Sequence, residues 1–442
     1  MARRSSFSAV ALAAGLAACS WTRFDDVSAD APVLVLTKPS DVGSGFGSSL
    51  AFGDASGDYR LYAGAAPGRT GGAEYKLGPK QDISKDAVRS GHCGLGCSLA
   101  KSAASLRRAT LEGNEHTLCT AEGLGTGTGK KPLGVQIQCT GEPAFVSVNE
   151  VPAGSAVVAG SSRYLSLASA AEDFPPLVAG VSAHKVDDGA QLVDVPQAAW
   201  FYASKSQTPV VLDPGSAGPS YGSSVAVWRA GGSQRLVVGE PDAGRVLVFD
   251  LTGSLEGCFA PGTPGFGRAL AAGRVDKDAD QELVVSSDGQ VHVLSGKALS
   301  GALSGSCVAP PNGAELVALS CSETADLKGC SASRFGASLA VADIDRDDDG
   351  EVLVGAPDMD VREASDGGAV LVYDVEPEHP HWLLEARFLS SAESGDRLGA
   401  SLAVIAQPDR DIFATGAPGG GKVAVFFCSK LLPSGKRGSR CE

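Results

Sequence analysis

The chain has 442 residues and a formal net charge of −14, an excess of acid that repels nucleic acid and anionic lipid surfaces as partners. Its 57 glycines and 24 prolines stand against an aromatic share of 6%, and no stretch of Ala, Leu, Glu and Lys keeps a helical spacing. A helix-rich fold is therefore excluded, and the length suits an all-β repeat fold formed as one unit.

Residues 1–18 read as a targeting segment, with Arg3 and Arg4 ahead of an apolar run over 7–18 that is too short to span a bilayer. The run ends in Leu16-Ala17-Ala18-Cys19, which resembles the lipobox of bacterial lipoproteins. That resemblance implies an acylated Cys19 as mature N-terminus, a tether over 19–31 and, with Ser20 behind the cysteine, an outer-membrane address. An ordinary signal peptide cleaved nearby is the alternative. Export to an oxidising compartment lets disulfides persist, and setting Cys19 aside leaves ten cysteines. They fall into neighbours: Cys93 with Cys97, Cys119 with Cys139, Cys258 with Cys307, Cys321 with Cys330, and Cys428 with Cys441. Local staples are expected, the last of them holding a C-terminal tail over 429–442. Zinc at His92, Cys93 and Cys97 is the rival reading, and no second ligand pair follows at suitable spacing.

From residue 32 onward a repeat organises the chain. An orphan strand, Pro32-Val-Leu-Val-Leu36, comes first. Each copy then opens on an aromatic residue or Leu, a Gly and two small residues before a strand: Phe46-Gly-Ser-Ser-Leu50 in copy one, Tyr221-Gly-Ser-Ser-Val225 in copy four, Phe266-Gly-Arg-Ala-Leu270 in copy five, Phe335-Gly-Ala-Ser-Leu339 in copy six and Leu398-Gly-Ala-Ser-Leu402 in copy seven. Leu95-Gly-Cys-Ser-Leu99 and Ser161-Ser-Arg-Tyr-Leu165 are degenerate copies two and three. A second apolar run ends in a turn, as in Val352-Leu-Val-Gly355-Ala-Pro357, and a third alternates, as in Gly368-Ala-Val-Leu-Val-Tyr373. A fourth, such as that beginning at Trp382, precedes the next start.

Seven starts with four strands each describe an all-β, seven-bladed β-propeller whose sheet edges stay short. Copy seven lacks a fourth strand after Phe427, and the orphan strand supplies one; residues 32–37 are expected to pair with 422–427 and close the ring. The order Phe-Gly, acidic loop, Leu-Val-Gly-Ala-Pro, Gly-x-Val-x-Val-Tyr is similar to the FG-GAP repeats of integrin α-subunits, over about residues 32–428.

Between the first two strands, copies five and six are longer than the rest: Phe266 to Ser286 and Phe335 to Gly355 span 20 residues, where Phe46 to Gly64, Tyr221 to Gly239 and Leu398 to Gly416 span 18. The extra residues fall where carboxylates cluster. Copy six reads Asp343-Ile-Asp345-Arg-Asp347-Asp348-Asp349-Gly350-Glu351. Oxygens at alternate positions there suit the roughly six to eight hard ligands of Ca²⁺. The loop resembles the integrin calcium hairpin, which implies side-chain ligands at Asp343, Asp345, Asp347 and Glu351 and a backbone carbonyl from Asp349. Copy five offers Asp276, Asp278, Asp280 and Glu282 as a second site, with Arg274 in the first ligand position. A cation there is expected to pair with Asp276 or Asp278 in the metal's stead. An acidic turn without metal is the other reading of both loops, in which the crowded carboxylates repel one another.

Catalytic signatures are missing. The segment Gly123 to Lys131 is out of register for a phosphate loop, and the histidines are scattered, with His292 reading as an ordinary strand residue. The sequence thus points to a non-catalytic, calcium-stabilised, lipid-anchored binding or adhesion propeller for a protein or polysaccharide partner. The loops over 68–93, 120–133 and 300–332 are the expected contact surface. An extracellular hydrolase or lyase and a structural subunit of an envelope complex remain alternatives.

Overall fold

Strands such as Arg245-Val-Leu-Val-Phe249 and Val352-Leu-Val are apolar on both faces, and such a strand persists only where both faces are covered. In the computed structural model, residues 34–40, 42, 44–55, 58–64, 72–77, 89–90, 105–110, 116–123, 133–139, 148–151, 165–169, 177–182, 184–187, 192–195, 197–202, 210–321, 323, 327–343, 349–374, 382–385, 393–406, 410–431 and 437–441 are described. They form an all-β, β-propeller-like stack of small antiparallel sheets; α-helix among them is confined to Gly296–Ser300.

Each copy supplies one sheet in chain order. Copy four pairs Ser224–Ala230, Ser233–Glu240, Arg245–Phe249 and Leu255–Phe259, with Cys307–Val308 added in parallel at the outer edge. Copy five pairs Leu270–Gly273, Glu282–Ser286, Gln290–Leu294 and Glu315–Ser320; copy six pairs Ser338–Ala342, Glu351–Ala356, Ala369–Asp374 and Trp382–Glu385. Copies one, two and three begin with Ser49–Ala55, Ser105–Thr110 and Leu165–Ser169 and follow the same order. The copy-seven strands Ser401–Ala406, Arg410–Ala417 and Lys422–Leu431 take Leu34–Thr37 as their fourth, in the register Leu34 to Val425 and Thr37 to Lys422. This is the pairing expected from the orphan strand.

The core lies between sheets. Val246 and Val248 face Phe266, Leu283 and Val285 of copy five, whereas Leu247 and Phe249 face Val178 and Phe201 of copy three. Alternation on a pleated strand delivers successive side chains to opposite neighbours, so the run has to be apolar throughout. The same arrangement joins copy six to copy seven through Leu353, Val370, Leu402 and Phe413, and copy seven to copy one through Ala414, Val425, Phe46 and Leu61. First strands lie against one another in chain order, and Ser401–Ala406 lies against Ser49–Ala55.

The sequence signature of each start is explained by these junctions. The opening aromatic is buried and meets a third-strand ring edge-on: Phe46 with Tyr75, Phe266 with His292 and Phe335 with Tyr373. The following Gly has a left-handed backbone, φ +89° at Gly47, and turns its carbonyl toward the preceding sheet. There it accepts from the first-strand serine, Ser401 Oγ to Gly47 O at 2.7 Å, and the latch recurs from Ser224 to Gly267, Ser338 to Gly399 and Ser166 to Gly222. The Gly of the Gly-Ala-Pro turn makes room for that carbonyl, since a Cβ at Gly416 would sit 1.9 Å from Gly47 O. In copy five the residues trade places: Ala269 stands where the serine is, Ser286 stands where the glycine is, and Ser286 Oγ accepts from Ala269 N.

Several expectations are corrected. Ser166 pairs with Gly180 as Ser224 pairs with Gly239, so copy three starts two residues later than the motif alignment from Ser161 placed it. The stretch 300–332 is not an open contact loop. It carries the outer strand Glu315–Ser320, with Val317 and Leu319 buried, and disulfides Cys258–Cys307 and Cys321–Cys330 fix it at both ends. The last strand runs to Leu431 and pairs with Arg437–Cys441, so part of the expected tail over 429–442 is sheet. Cys428 stands opposite Cys441, and Cys119 opposite Cys139, in strand register. Residues 1–33 with Cys19, and Cys93 and Cys97, lie outside the described residues.

Candidate metal centre

The copy-five loop is the turn between Leu270–Gly273 and Glu282–Ser286, closed by the pairing of Gly273 with Glu282. Inside it the carboxylates hold the backbone in successive short turns: Asp276 Oδ1 accepts from Asp278 N at 2.9 Å, and Asp278 Oδ1 accepts from Asp280 N at 2.8 Å. Both flanks are docked. On the copy-four side, Asp280 Oδ1 accepts from Gly231 N at 2.9 Å, Trp228 Nε1 donates to Gln281 O at 2.6 Å and Gln281 N donates to Arg229 O at 2.8 Å. On the copy-six side, Lys277 Nζ lies 3.1 Å from Asp349 Oδ2, and Gly350 presses on the Arg274 carbonyl so closely that a Cβ would sit 2.2 Å from its oxygen.

The loop so fixed brings Asp276, Asp278 and Glu282 together, one oxygen from each within 4.8 Å of the others. Oxygens sharing one Ca²⁺ at about 2.4 Å can stand no farther apart than this, so the three carboxylates fit a hard divalent cation. Asp280 is not one of the three clustered carboxylates. Its carboxylate is turned to Gly231, from whose amide it accepts. Arg274 is exposed and, among the described residues, forms no ion pair with Asp276 or Asp278, so the expected cation in the metal's stead is not there.

Glu282 is the unusual member. It is 0% exposed, its Oε2 accepts from Val275 N at 2.9 Å, and its Oε1 has no hydrogen-bond partner. Burial pushes its carboxyl up from the ordinary 4.5 to about 7; the Val275 hydrogen bond opposes this, and Asp276 and Asp278 add to it. A buried carboxylate with an orphaned oxygen beside two others is costly without a cation and well supplied with one.

The copy-six loop has the same frame. Ala342 pairs with Glu351 as Gly273 pairs with Glu282, and Asp349 and Glu351 are buried. Asp343 lies at the loop's start, half-buried, while Asp345 and Asp347 lie outside the described residues.

A second constellation escaped sequence reasoning. His292 Nε2 lies 2.9 Å from Ser287 Oγ, and His292 Nδ1 lies 2.6 Å from Glu315 Oε1. The order serine, histidine, carboxylate matches a hydrolytic triad in form. Its surroundings do not: Ser287 is 1% exposed, Ser287 N donates to Gln290 O and Asp288 N donates to Pro264 O, so neither neighbouring amide is left to stabilise an oxyanion. The group ties the second turn of copy five to its outer strand. Nothing in the spacing of Ser287, His292 and Glu315 announces it, because the third member arrives only through the pairing of Gln290–Leu294 with Glu315–Ser320.

Small antiparallel sheets with Phe-Gly starts and acidic hairpins define a propeller-like repeat protein. Residues 335–373, from the copy-six start to the end of its third strand, match the FG-GAP repeat family. Integrin alpha-7 of Homo sapiens is 40% identical over 104 residues, which cover 22% of this chain and 9% of the integrin. The Mus musculus and Rattus norvegicus forms are each 39% identical over 104 residues. The match thus spans less than a tenth of these relatives' length.

Proposed function

We propose that this chain is a non-catalytic binding or adhesion propeller of seven blades, closed by the strand at 32–37 on the last blade and stiffened by Ca²⁺ in its acidic hairpins. The observation that carries the calcium reading is Glu282: a fully buried carboxylate with one orphaned oxygen, clustered with Asp276 and Asp278. Ca²⁺ would be held by Asp276, Asp278, Glu282 and the Asp280 carbonyl, and in the copy-six loop by Asp343, Asp345, Asp347, Glu351 and the Asp349 carbonyl. The ion would supply charge neutralisation, and with it a stiff hinge between neighbouring sheets. Closure is supported by the contact of the copy-seven and copy-one first strands and by the Ser401 latch onto Gly47.

The lipobox-like Leu16-Ala17-Ala18-Cys19 supports a lipid anchor at Cys19 in the cell envelope, at the outer membrane, with a protein or polysaccharide as partner. A pull-down from envelope extract, with and without chelator, tests the reading. It predicts a partner retained with Ca²⁺ and released by chelation; capture indifferent to both would overturn the calcium dependence.

A further inference from the structure

Among its ligand positions the copy-five loop departs from its copy-six counterpart only at the first, and the departure reverses a charge. Where copy six places Asp343, copy five places Arg274, two residues ahead of Asp276. The Arg274 side chain is exposed, and its carbonyl is covered by Gly350 of the next sheet. The other nearby cation, Lys277, is engaged with Asp349. An ion held by Asp276, Asp278, Glu282 and one carbonyl therefore has fewer protein oxygens than Ca²⁺ takes, and the loop position that carries a carboxylate in copy six carries Arg274 here.

We infer that the copy-five ion keeps an open coordination position beside Arg274, and that this position takes a carboxylate from a ligand. The inference rests on the calcium reading above and deepens it. Exchanging Asp for Arg shifts the local charge by two, so the mouth of the site attracts an anion where a fourth carboxylate would repel one. One oxygen of the incoming carboxylate reaches the ion, and the other accepts from the Arg274 guanidinium, which presents paired donors suited to it. Glu282 is buried and Asp276 and Asp278 are half-buried, so the ion is recessed. An aspartyl or glutamyl side chain of a partner protein can extend into such a recess, whereas the ring-borne carboxylate of a uronic acid brings its ring against the rim.

The test uses Eu³⁺ in place of Ca²⁺ on the mature protein, with luminescence lifetimes in H₂O and D₂O counting the waters on the ion. The copy-five contribution is the emission lost in Glu282→Gln. N-acetylaspartate amide is expected to displace about one water from that ion, with glucuronate weaker and a neutral amide inert. Arg274→Asp should start with about one water fewer and ignore the added carboxylate, and Arg274→Ala should need several-fold more of it. Unchanged lifetimes with N-acetylaspartate amide in the wild-type protein overturn the inference while leaving the calcium reading intact. Glucuronate acting more strongly overturns the protein side chain as ligand. Absence of any Glu282-dependent emission overturns the calcium reading itself.

Discussion

Replacing Gly416 by Ala probes the junction where the two ends of the chain meet. The added Cβ would stand 1.9 Å from Gly47 O and 2.5 Å from Ser401 Oγ. Ordinary contact begins near 3.4 Å, so the copy-seven and copy-one sheets must part by about 1.5 Å or surrender the latch. Overpacking of that kind costs about 1–3 kcal/mol, and losing the Ser401 to Gly47 hydrogen bond adds about 1 kcal/mol. The expected loss is about 2–4 kcal/mol in urea unfolding monitored by circular dichroism. Gly313→Ala is the comparison: its φ is +80° but nothing lies within 4 Å of the new Cβ, so only the left-handed backbone penalty of about 1–2 kcal/mol applies. Ser401→Ala should cost about 1–3 kcal/mol alone, and less on top of Gly416→Ala, because both act on the same carbonyl. A Gly416→Ala protein no less stable than Gly313→Ala, or strictly additive losses in the double variant, would refute the argument for a tight, latched junction.

Further outcomes follow from the other sites. With chelator present, Glu282 has a folded pKa near 7 against an ordinary 4.5, so its neutral form is favoured in the folded state; stability should fall as pH rises from 4.5 through 7, by up to about 3 kcal/mol, and Glu282→Gln should flatten that slope in pH-dependent unfolding. Removing Cys258–Cys307, which closes a 49-residue separation, should cost about 4 kcal/mol, against about 2.7 for Cys321–Cys330 with its separation of 9, as read from denaturation of the Cys→Ser pairs. Ser287 should resist a fluorophosphonate probe that labels activated serines; labelling lost in Ser287→Ala would restore the hydrolase reading.

Strand order and sheet junctions were legible because each start repeats the residues that build a junction: an aromatic to bury, a Gly whose carbonyl turns outward, and a serine to meet it. The register of copy three was not, since Ser161-Ser-Arg-Tyr-Leu165 lacks the Gly, and only the pairing of Ser166 with Gly180 locates the latch. The clustering of the copy-five acids Asp276, Asp278 and Glu282 was legible from their spacing. The contact of the Asp280 carboxylate with Gly231 was hidden, because that partner belongs to another sheet 49 residues away. Ser287, His292 and Glu315 were invisible for the same reason: strand pairing, not spacing, brings them together. The stretch 300–332 misled by composition, as its Gly and Ser content masked the alternation of Val317 and Leu319.

The most direct measurement is calorimetric titration of the chelator-stripped mature protein with Ca²⁺, beside Glu282→Gln and Asp345→Ala. Saturable heat, lost in part in each variant, together with a higher unfolding temperature when Ca²⁺ is bound, is the predicted result. Titration without binding heat and without stabilisation would contradict the account of the acidic hairpins as cation sites.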